Sequence, residues 1–557
     1  MNYNICIDFG TCNTVISYME NDLIKQIQDD MTGDILIPTT IYFINTENKK
    51  KIDEFEFEID YQIGNVANDL LKSNKDSKNY FFQFKRFLGI TNKSINLHKD
   101  FLNKHNYEYI TEEDLIYFYI NNEIENKIKF SICDLIKLFF EGIKKLIFNK
   151  LCSLKQDDKI PIILTCPAYF HEIQRSQLKK TAELSGFEIF KLISEPVAAA
   201  IYYINKLSKL NKSDKYIIYD LGGGTIDTTV IEYHQDANLC EVIDIVGNNN
   251  LGGLDIDNIL AFDILNRYSI DKSNINWFNK IKKYAEEIKI KLTIQNNYTI
   301  YLENVPINKI NQISIVDNLK ISYSRQLFNN LINDIIDEML IPVKNMYNKY
   351  QISNIIFIGG PTQIPLLQEK IKSIININQL DLKNYSNDLV LYKTIVSQGG
   401  TLFFNKNILK EDFCLLDIMP MNIGINDDNN NLIIMIKKNS KIPITVEHCF
   451  TTSHDCQRTI DIEIYEGLFE NCLLNTFIGL YKIVGIPPLP KGMILIKLKF
   501  NINNNGILNI SINGIKNPNI NYDKTFNFNL CQNIKIIPNI LAKQLIKKFS
   551  LLLNEKK

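Results

Sequence analysis

An excess of charge of either sign is missing from this chain. Its 557 residues carry 62 Lys and Arg against 63 Asp and Glu, a net charge of -1. Binding a phosphate backbone needs a basic surface that releases counterions, so no nucleic-acid partner is expected. No run of about 18 apolar residues occurs, so no membrane span is expected. The 11 cysteines are scattered and include no C-x-x-C pair. That argues against a disulfide-stapled secreted domain. The opening, MNYNICIDFG, is already strand-like. It has neither a charged segment leading into an apolar stretch nor an Arg- and Ser-rich transit sequence, so a reduced, cytoplasmic protein is expected. Also absent are a G-x-x-x-x-G-K-[ST] loop and a strand-linked G-x-G-x-x-G, which disfavours P-loop and Rossmann chemistry.

What is present reads as ordinary globular protein, with 45% hydrophobic and 22% charged residues. The length suggests roughly three to four domains. Over the first 410 residues, short β-branched runs such as Ile160 to Leu164, Tyr216 to Tyr219 and Ile355 to Ile358 alternate with longer helical patterns. This is an α/β signature. Ser131 to Leu151 repeats apolar residues at helical spacing and predicts a buried helix. Near Glu411 the texture changes. Short strands with a period of two follow, as in Thr459 to Ile464, punctuated by GIPPLPKG at 485–492 and NNNG at 503–506. That pattern predicts an antiparallel sandwich. From Pro538 onward a single short amphipathic helix is expected.

Two segments echo each other: Ile5 to Tyr18 (ICIDFGTCNTVISY) and Ile217 to Tyr233 (IIYDLGGGTIDTTVIEY). Each has an apolar strand, Asp-x-Gly, small or hydroxyl residues, and a second apolar strand. A tight hairpin fits both, and two such hairpins suggest two related lobes facing one ligand. In the second, Gly222, Gly223 and Gly224 allow close backbone approach. Their N–H groups can form a concavity for phosphate. The flanking Asp220 and Asp227 can hold Mg²⁺, directly or through water. A lone Gly-Gly-Gly turn with ordinary surface acids would read the same; the partner Asp8-Phe9-Gly10-Thr11 is what favours the ligand.

With these blocks in view, the chain resembles the 70-kDa heat-shock protein (DnaK-type) chaperone family, within the actin and sugar-kinase fold group. The matching blocks run in family order. They are IDFGTCNT at 7–14, FKRFLG at 84–89, CPAYFHEIQR at 166–175, ISEPVAAAIYY at 193–203, YDLGGGTIDTTV at 219–230, NLGGLDIDN at 250–258 and FIGGPTQIP at 357–365. The likeness continues through LLDIMPMNIGI at 415–425 and FTTSHDCQ at 450–457 to IPPLPKG and FNINNNGILNIS. It implies an α/β nucleotide-binding domain of the actin/ribonuclease-H-like two-lobed fold at 1–410 and an interdomain linker at 411–418. An all-β sandwich peptide-binding domain at 417–536 and a short C-terminal helical stub at 537–557 complete it.

The resemblance also implies roles. Asp8, Gly10, Thr11 and Cys12 match the first phosphate loop, and Asp220 and Gly222 to Thr225 the second. Gly252, Gly253, Glu286, Lys289, Gly359 and Gly360 match further nucleotide contacts. Lys85 matches the lysine that neutralises charge on the γ-phosphate, and Glu195, Thr225 and Asp227 complete the catalytic set. Asp8, Asp220 and Asp227 would hold Mg²⁺, partly through water. ATP or ADP and Mg²⁺ are the implied cofactors, with K⁺ as a further candidate. Pro167 and Arg175 match a relay to the linker residues Leu415, Leu416 and Asp417; that apolar run would equally serve as the first strand of the sandwich. Ile425, Phe450, Thr451 and Ile460 fall where the family lines a channel for extended apolar peptide, and plain core is the other reading. A slow, peptide-coupled ATPase chaperone of the stress-response type is implied. It would be monomeric, with a J-domain co-chaperone and a nucleotide-exchange factor as partners.

Some positions depart from the family pattern. Pro361 and Gln363 replace a serine and an arginine on the nucleoside side, and Lys393 falls where an aspartate is usual. Cys12 stands in place of a threonine. In the peptide channel, Asp428 and Ser453 occupy the two sides of the apolar arch. An unpaired charge buried there would weaken clamping. The chain also ends too soon for a full helical lid, so fast peptide exchange is expected. These departures motivate a second reading: a lid-less co-chaperone, scaffold or virus-encoded relative. His448, Cys449, His454 and Cys456 lie close together, but their spacing matches no usual zinc knuckle.

Overall fold

The computed structural model describes residues 3–29, 31–44, 60–73, 79–91, 95, 107–112, 115–120, 128–151, 159–207, 214–272, 274–309, 312–375, 391–404, 413–427, 429–513 and 529–532. The expected stub at 537–557 and Asp428 lie outside the described residues, as do Glu411 and Asp412 of the linker.

The first lobe is organised by β1 (Ile5–Phe9), β2 (Asn13–Glu20) and β3 (Leu23–Gln26), then α1 (Ile132–Lys150), β4 (Ile160–Cys166), α2 (Glu172–Leu184), β5 (Phe187–Ser194) and α3 (Glu195–Leu207). The described strands of its sheet run in the order β5-β4-β1-β2-β3, and Ile37–Pro38 pairs off β2. β1 pairs with β2 as the expected hairpin and with β4 in parallel, Cys6 opposite Ile163. Alternation sends successive residues to opposite faces. Ile5, Ile7, Phe9, Ile162 and Leu164 enter one core with Phe139 and Phe140 of α1, while Cys6 and Ile163 enter another. A sheet covered on both faces explains why β1 and β4 read as near-continuous apolar runs. The helix expected at 131–151 forms with Ser131 as its N-cap. The Ser131 hydroxyl accepts from the Asp134 N–H, and the Asp134 carboxylate accepts from the Ser131 N–H, which satisfies two otherwise orphaned donors.

The second lobe repeats the plan with β6 (Asp214–Leu221), β7 (Ile226–His234), β8 (Leu239–Asn248), α4 (Gly253–Arg267), α5 (Ile275–Ile294) and β9 (Ile355–Ile358); α6 (Leu391–Phe404) then packs back on β1, β2 and β4 of the first lobe. β6 and β7 form the second expected hairpin, with Asp220 opposite Asp227. Ile217, Tyr219 and Leu221 face a core shared with α4 and α5. Ile218, Ile356 and Ile358 face the same central core as Cys6 and Ile163. That central core joins the lobes through α3 and α6, whose small residues let them approach closely. A Cβ at Gly399 would stand 1.7 Å from the Ala198 carbonyl oxygen, and one at Gly400 2.3 Å from the Cys6 sulfur.

Beyond residue 413 the described elements are strands, with one 3₁₀ turn at Cys472–Leu474: β10 (Cys414–Ile418), β11 (Asn422–Asn426), β12 (Leu432–Ile436), β13 (Lys441–Ile442), β14 (Ile444–Thr451), β15 (Thr459–Gly467), β16 (Thr476–Val484), β17 (Leu495–Ile502), β18 (Leu508–Asn513) and β19 (Asn529–Gln532). One sheet runs β12-β11-β15-β16-β19 and another β14-β17-β18. Their inward residues, among them Ile423, Ile464, Ile483, Leu498 and Phe500, form one cluster. β10 belongs to neither sheet. It extends the second lobe's sheet, giving the order β9-β6-β7-β8-β10-β13, parallel to β8 with Cys240 opposite Leu415. The apolar run at 414–418 is therefore an added strand of the α/β part.

The all-β part also touches the first lobe directly. The Leu192 N–H donates to Asn505 Oδ1 at 3.0 Å, and the Glu172 N–H donates to Glu466 Oε2 at 2.6 Å. Among the described residues no helix is long and apolar enough to cross a membrane.

Candidate functional site

Between the lobes lies a cavity of about 230 Å³. Its floor is made by the two hairpin turns. In the first, the Gly10 N–H donates to the Asp8 carbonyl and the Thr39 hydroxyl donates to the Gly10 carbonyl. In the second, the Gly222 N–H donates to the Thr225 carbonyl. The N–H groups of Gly253 and Leu254, at the start of α4, donate to the Gly222 and Gly223 carbonyls. The two turns nearly touch: a Cβ at Gly223 would lie 2.4 Å from the Cys12 sulfur, and one at Gly252 2.6 Å from the Gly223 carbonyl oxygen. Glycine is required there by close approach of backbone.

Carboxylates crowd this floor. Lys85 sits on a short 3₁₀ turn, Phe84–Phe87, and is buried. Its ammonium reaches Glu195 Oε1 at 3.0 Å and lies 5.6 Å and 5.4 Å from the ring centres of Phe9 and Phe170. Glu195 opens α3 at the end of β5. Asp8 accepts from the Thr165 hydroxyl at 2.8 Å. Asp227 accepts from the Ala168 and Tyr169 N–H groups at 2.8 Å and 3.2 Å. Burial, and then the charge of Glu195, push Asp8 up to about 7. The same two causes push Asp227 up to about 7. Asp220 is driven well above the carboxylate range by burial and by its neighbours Glu195, Asp227 and Asp8.

Three buried carboxylates and the half-buried Asp8 against one lysine make a site with more negative charge than it can hold uncompensated, and their hard oxygens suit a hard cation. No three described His, Cys, Asp or Glu side chains converge for direct coordination of one ion. Mg²⁺ keeps several of its waters, so an ion held through water is compatible with that spacing.

Away from the floor, α5 presents Glu286, Lys289, Ile290, Thr293 and Ile294 to the cavity at helical spacing. Opposite lie Gly359, Gly360, Pro361, Gln363 and Ile364 after β9, with Tyr392 and Lys393 from α6. Gly359 has a φ of 86°, and a Cβ there would meet the Leu221 carbonyl oxygen at 2.1 Å. Lys289 is buried and paired with Asp257 at 2.7 Å. Across the cleft, Arg86 of the first lobe reaches Asp255 of α4 at 3.5 Å.

Most of the residues expected from sequence line this cavity: Asp8, Gly10, Thr11, Cys12, Lys85, Glu195, Asp220, Gly222, Gly223, Thr225, Gly253, Glu286, Lys289, Gly359 and Gly360. Gly224, Gly252 and Asp227 are not among the lining residues. They stand behind the floor, Gly224 against Arg86 and Gly252 against Gly223. Thr165, the Ala168 and Tyr169 N–H groups, the Arg86–Asp255 pair and Asp257 were not anticipated. The one local hint was that Arg86 follows Lys85 in the same block.

The relay residues connect to this floor. Ala168, next to Pro167, donates its N–H to Asp227, and its carbonyl accepts from the Arg175 guanidinium at 2.8 Å. Arg175 lies within electrostatic reach of Asp417 on β10. Leu415 packs against the central core. In the all-β part, Ile425 is buried in the core, Phe450 and Ile460 pack partly buried against it, and Thr451 is exposed. β11, which carries Ile425, is paired on both sides, with β12 and β15. Ser453 is exposed, its N–H donating to Gln457.

Fold and site together define a two-lobed α/β protein with an acidic cleft between the lobes and an attached all-β part. Residues 4–524 match the family profile described as Hsp70 protein. The chain belongs to the Hsp70 family. The chaperone protein DnaK of Thermotoga petrophila is 31% identical over 356 residues, 62% of this chain and 58% of that protein. The DnaK of Thermosipho africanus is 30% identical over the same length. The chaperone protein HscA of Buchnera aphidicola subsp. Baizongia pistaciae is 29% identical over 509 residues, 91% of each chain. The alignment to the DnaK relatives thus spans under two thirds of their length. Members of the family are chaperones and ATPases that bind ATP or ADP with Mg²⁺.

Proposed function

We propose that this chain is an ATP-dependent chaperone. Its ATPase unit would be 1–410, its linker 411–418, its peptide-binding sandwich 417–536 and its helical stub 537–557. The observation that carries this reading is the Lys85–Glu195 pair set among Asp8, Asp220 and Asp227 beneath two glycine turns. Phosphoryl transfer asks little covalent chemistry of a protein; it rests on positioning and charge stabilisation. The glycine N–H groups would hold phosphate oxygens, and Lys85 would stabilise charge developing on the terminal phosphoryl group. Glu195 and Asp227 would orient the attacking water, with Thr225 beside them. When bound, Mg²⁺ supplies Lewis-acid neutralisation of the phosphates, and Asp8, Asp220 and Asp227 are the side chains that would hold its waters. K⁺ would be a further ligand of the same floor.

The relay from Asp227 through Ala168 and Arg175 to Asp417 would let the state of the cleft bias the linker strand. In this reading, extended apolar segments of unfolded proteins are bound in the all-β part near Ile425, Phe450, Thr451 and Ile460. A J-domain protein and a nucleotide-exchange factor act on the cycle, and the cytoplasm is the compartment. The test is single-turnover ATP hydrolysis with and without an apolar peptide. Lys85→Ala should lower the rate at least a hundredfold. Wild-type turnover no faster than that variant would reject the enzymatic reading.

The rebuilt cavity wall at Pro361, Gln363 and Lys393 favours one alternative, a nucleotide-binding co-chaperone or scaffold with little peptide clamping. It predicts that Lys85→Ala keeps its function in cells.

A further inference from the structure

The contact between the α/β and all-β parts contains acids that the cleft chemistry does not use. Glu172 is the first residue of α2, and Glu466 lies on β15; both are buried. Glu466 Oε2 accepts the Glu172 N–H at 2.6 Å and lies 3.5 Å from His171 Nδ1. The Glu172 carboxyl accepts the Leu508 N–H of β18 at 3.3 Å. His171 Nε2 meets the Thr476 hydroxyl of β16 at 3.2 Å. Two acids from two parts of the molecule are thus closed into one interface, and the groups facing them are few. On α2 itself there is Arg175, and just before it His171 and Tyr169. From the all-β part, Tyr481 on β16 is within electrostatic reach of Glu172.

We propose that Glu172 and Glu466 form a proton-dependent latch: the docked arrangement requires Glu172 to be protonated beside Glu466, and its ionisation drives the two parts asunder. The sign follows from what docking changes. When the parts separate, Glu172 returns to water at the N-terminus of a surface helix. The helix dipole acts on it in both arrangements and so drops out of the difference. Burial and the Glu466 charge act only when docked. They push the Glu172 carboxyl up to about 8, from an ordinary value of 4.5, against the opposing pull of the Leu508 N–H and Arg175.

Docking therefore takes up a proton. It is most favourable at acid pH and weakens roughly tenfold per pH unit between about 5 and 8, levelling off above. Asp417 on β10, half-buried near Arg175 and also pushed up by loss of solvent, contributes with the same sign. The cleft acids titrate as well, so a wild-type pH profile alone does not assign the effect to Glu172.

The experiment is small-angle X-ray scattering of the full chain without nucleotide, from pH 6 to pH 9, with limited proteolysis alongside. Wild type should be compact at pH 6 and extend as pH rises, with protease sensitivity around residue 413 rising in step. Glu172→Gln keeps the size and the neutral form of the side chain, and should stay compact and protected throughout. Glu466→Gln removes the repelling charge and should flatten the profile in the same direction. A wild-type profile flat across this range overturns the latch, and so does a Glu172→Gln profile that still extends like wild type. Should Glu172→Gln fail to fold, a Glu466→Gln profile identical to wild type overturns it.

Discussion

Asp8 and Asp227 answer to the same two causes, burial and the charge of Glu195, and they are restrained by different donors. Asp8 has one hydroxyl, from Thr165; Asp227 has two backbone N–H groups. Both titrate near 7 in the cation-free chain, so below that pH protons compete with any divalent ion for the same oxygens. Mg²⁺-dependent nucleotide binding should therefore be about a hundredfold weaker at pH 6 than at pH 8, about tenfold from each acid. Calorimetry across that range checks it. Thr165→Val removes a donor that favours the ionised Asp8, so it should move the midpoint upward. Glycine-flanked acids of this kind are readable in a sequence because each sits inside a contiguous block. Thr165 is not, since it meets Asp8 across 157 residues. Arg86 and Asp255 are 169 residues apart, and Glu172 and Glu466 are 294. A contact that distant leaves no period or spacing in the chain; only folding brings it about.

At the scale of elements, periodicity foretold type better than partnership. The helix at 132–150 and the alternating β15 follow from 3.6- and 2-residue repeats, and both hairpins from an Asp-x-Gly turn between two apolar runs. β10 does not. An apolar run of five residues reports that a strand is buried but not which sheet buries it, and 414–418 fitted either the linker or the first strand of the sandwich. Its pairing with β8 was decided by tertiary contact. The packing of α3 on α6 is likewise written in small residues, Ala198, Ala199, Gly399 and Gly400, rather than in a pattern of large ones. Gly399→Ala would drive a methyl into the Ala198 carbonyl. It should destabilise the chain by about 3 kcal/mol, as overpacking of a tight core does. Urea denaturation followed by circular dichroism measures this. Gly33→Ala is the comparison: it sits in open space, and only its φ of 73° opposes a side chain.

For the whole molecule, two bridges tie parts that must move if the cleft is to exchange its ligand. One is Arg86–Asp255 between the lobes, with the guanidinium buried. The Asp255 carboxylate also caps α4 by accepting the Gly252 N–H at 2.9 Å. Arg86→Ala leaves that cap in place but removes the tie across the cleft, so nucleotide release should quicken about tenfold with a smaller change in association, since such losses fall mainly on dissociation. Stopped-flow displacement of a fluorescent nucleotide distinguishes this from a general loss of fold, which would slow association as well.

The second bridge is the strand β10, and its consequence is mechanical. It meets β8 over three residue pairs and β13 over two, while each flanking body has an apolar core of many side chains. A backbone hydrogen bond contributes about 1 kcal/mol net, so among the described elements this seam is a weak join beside those two cores. Tension on the molecule would open it first and lengthen the protein while both folded bodies stay whole. A pull on anything held in the all-β part would then reach the cleft through the loss of one strand.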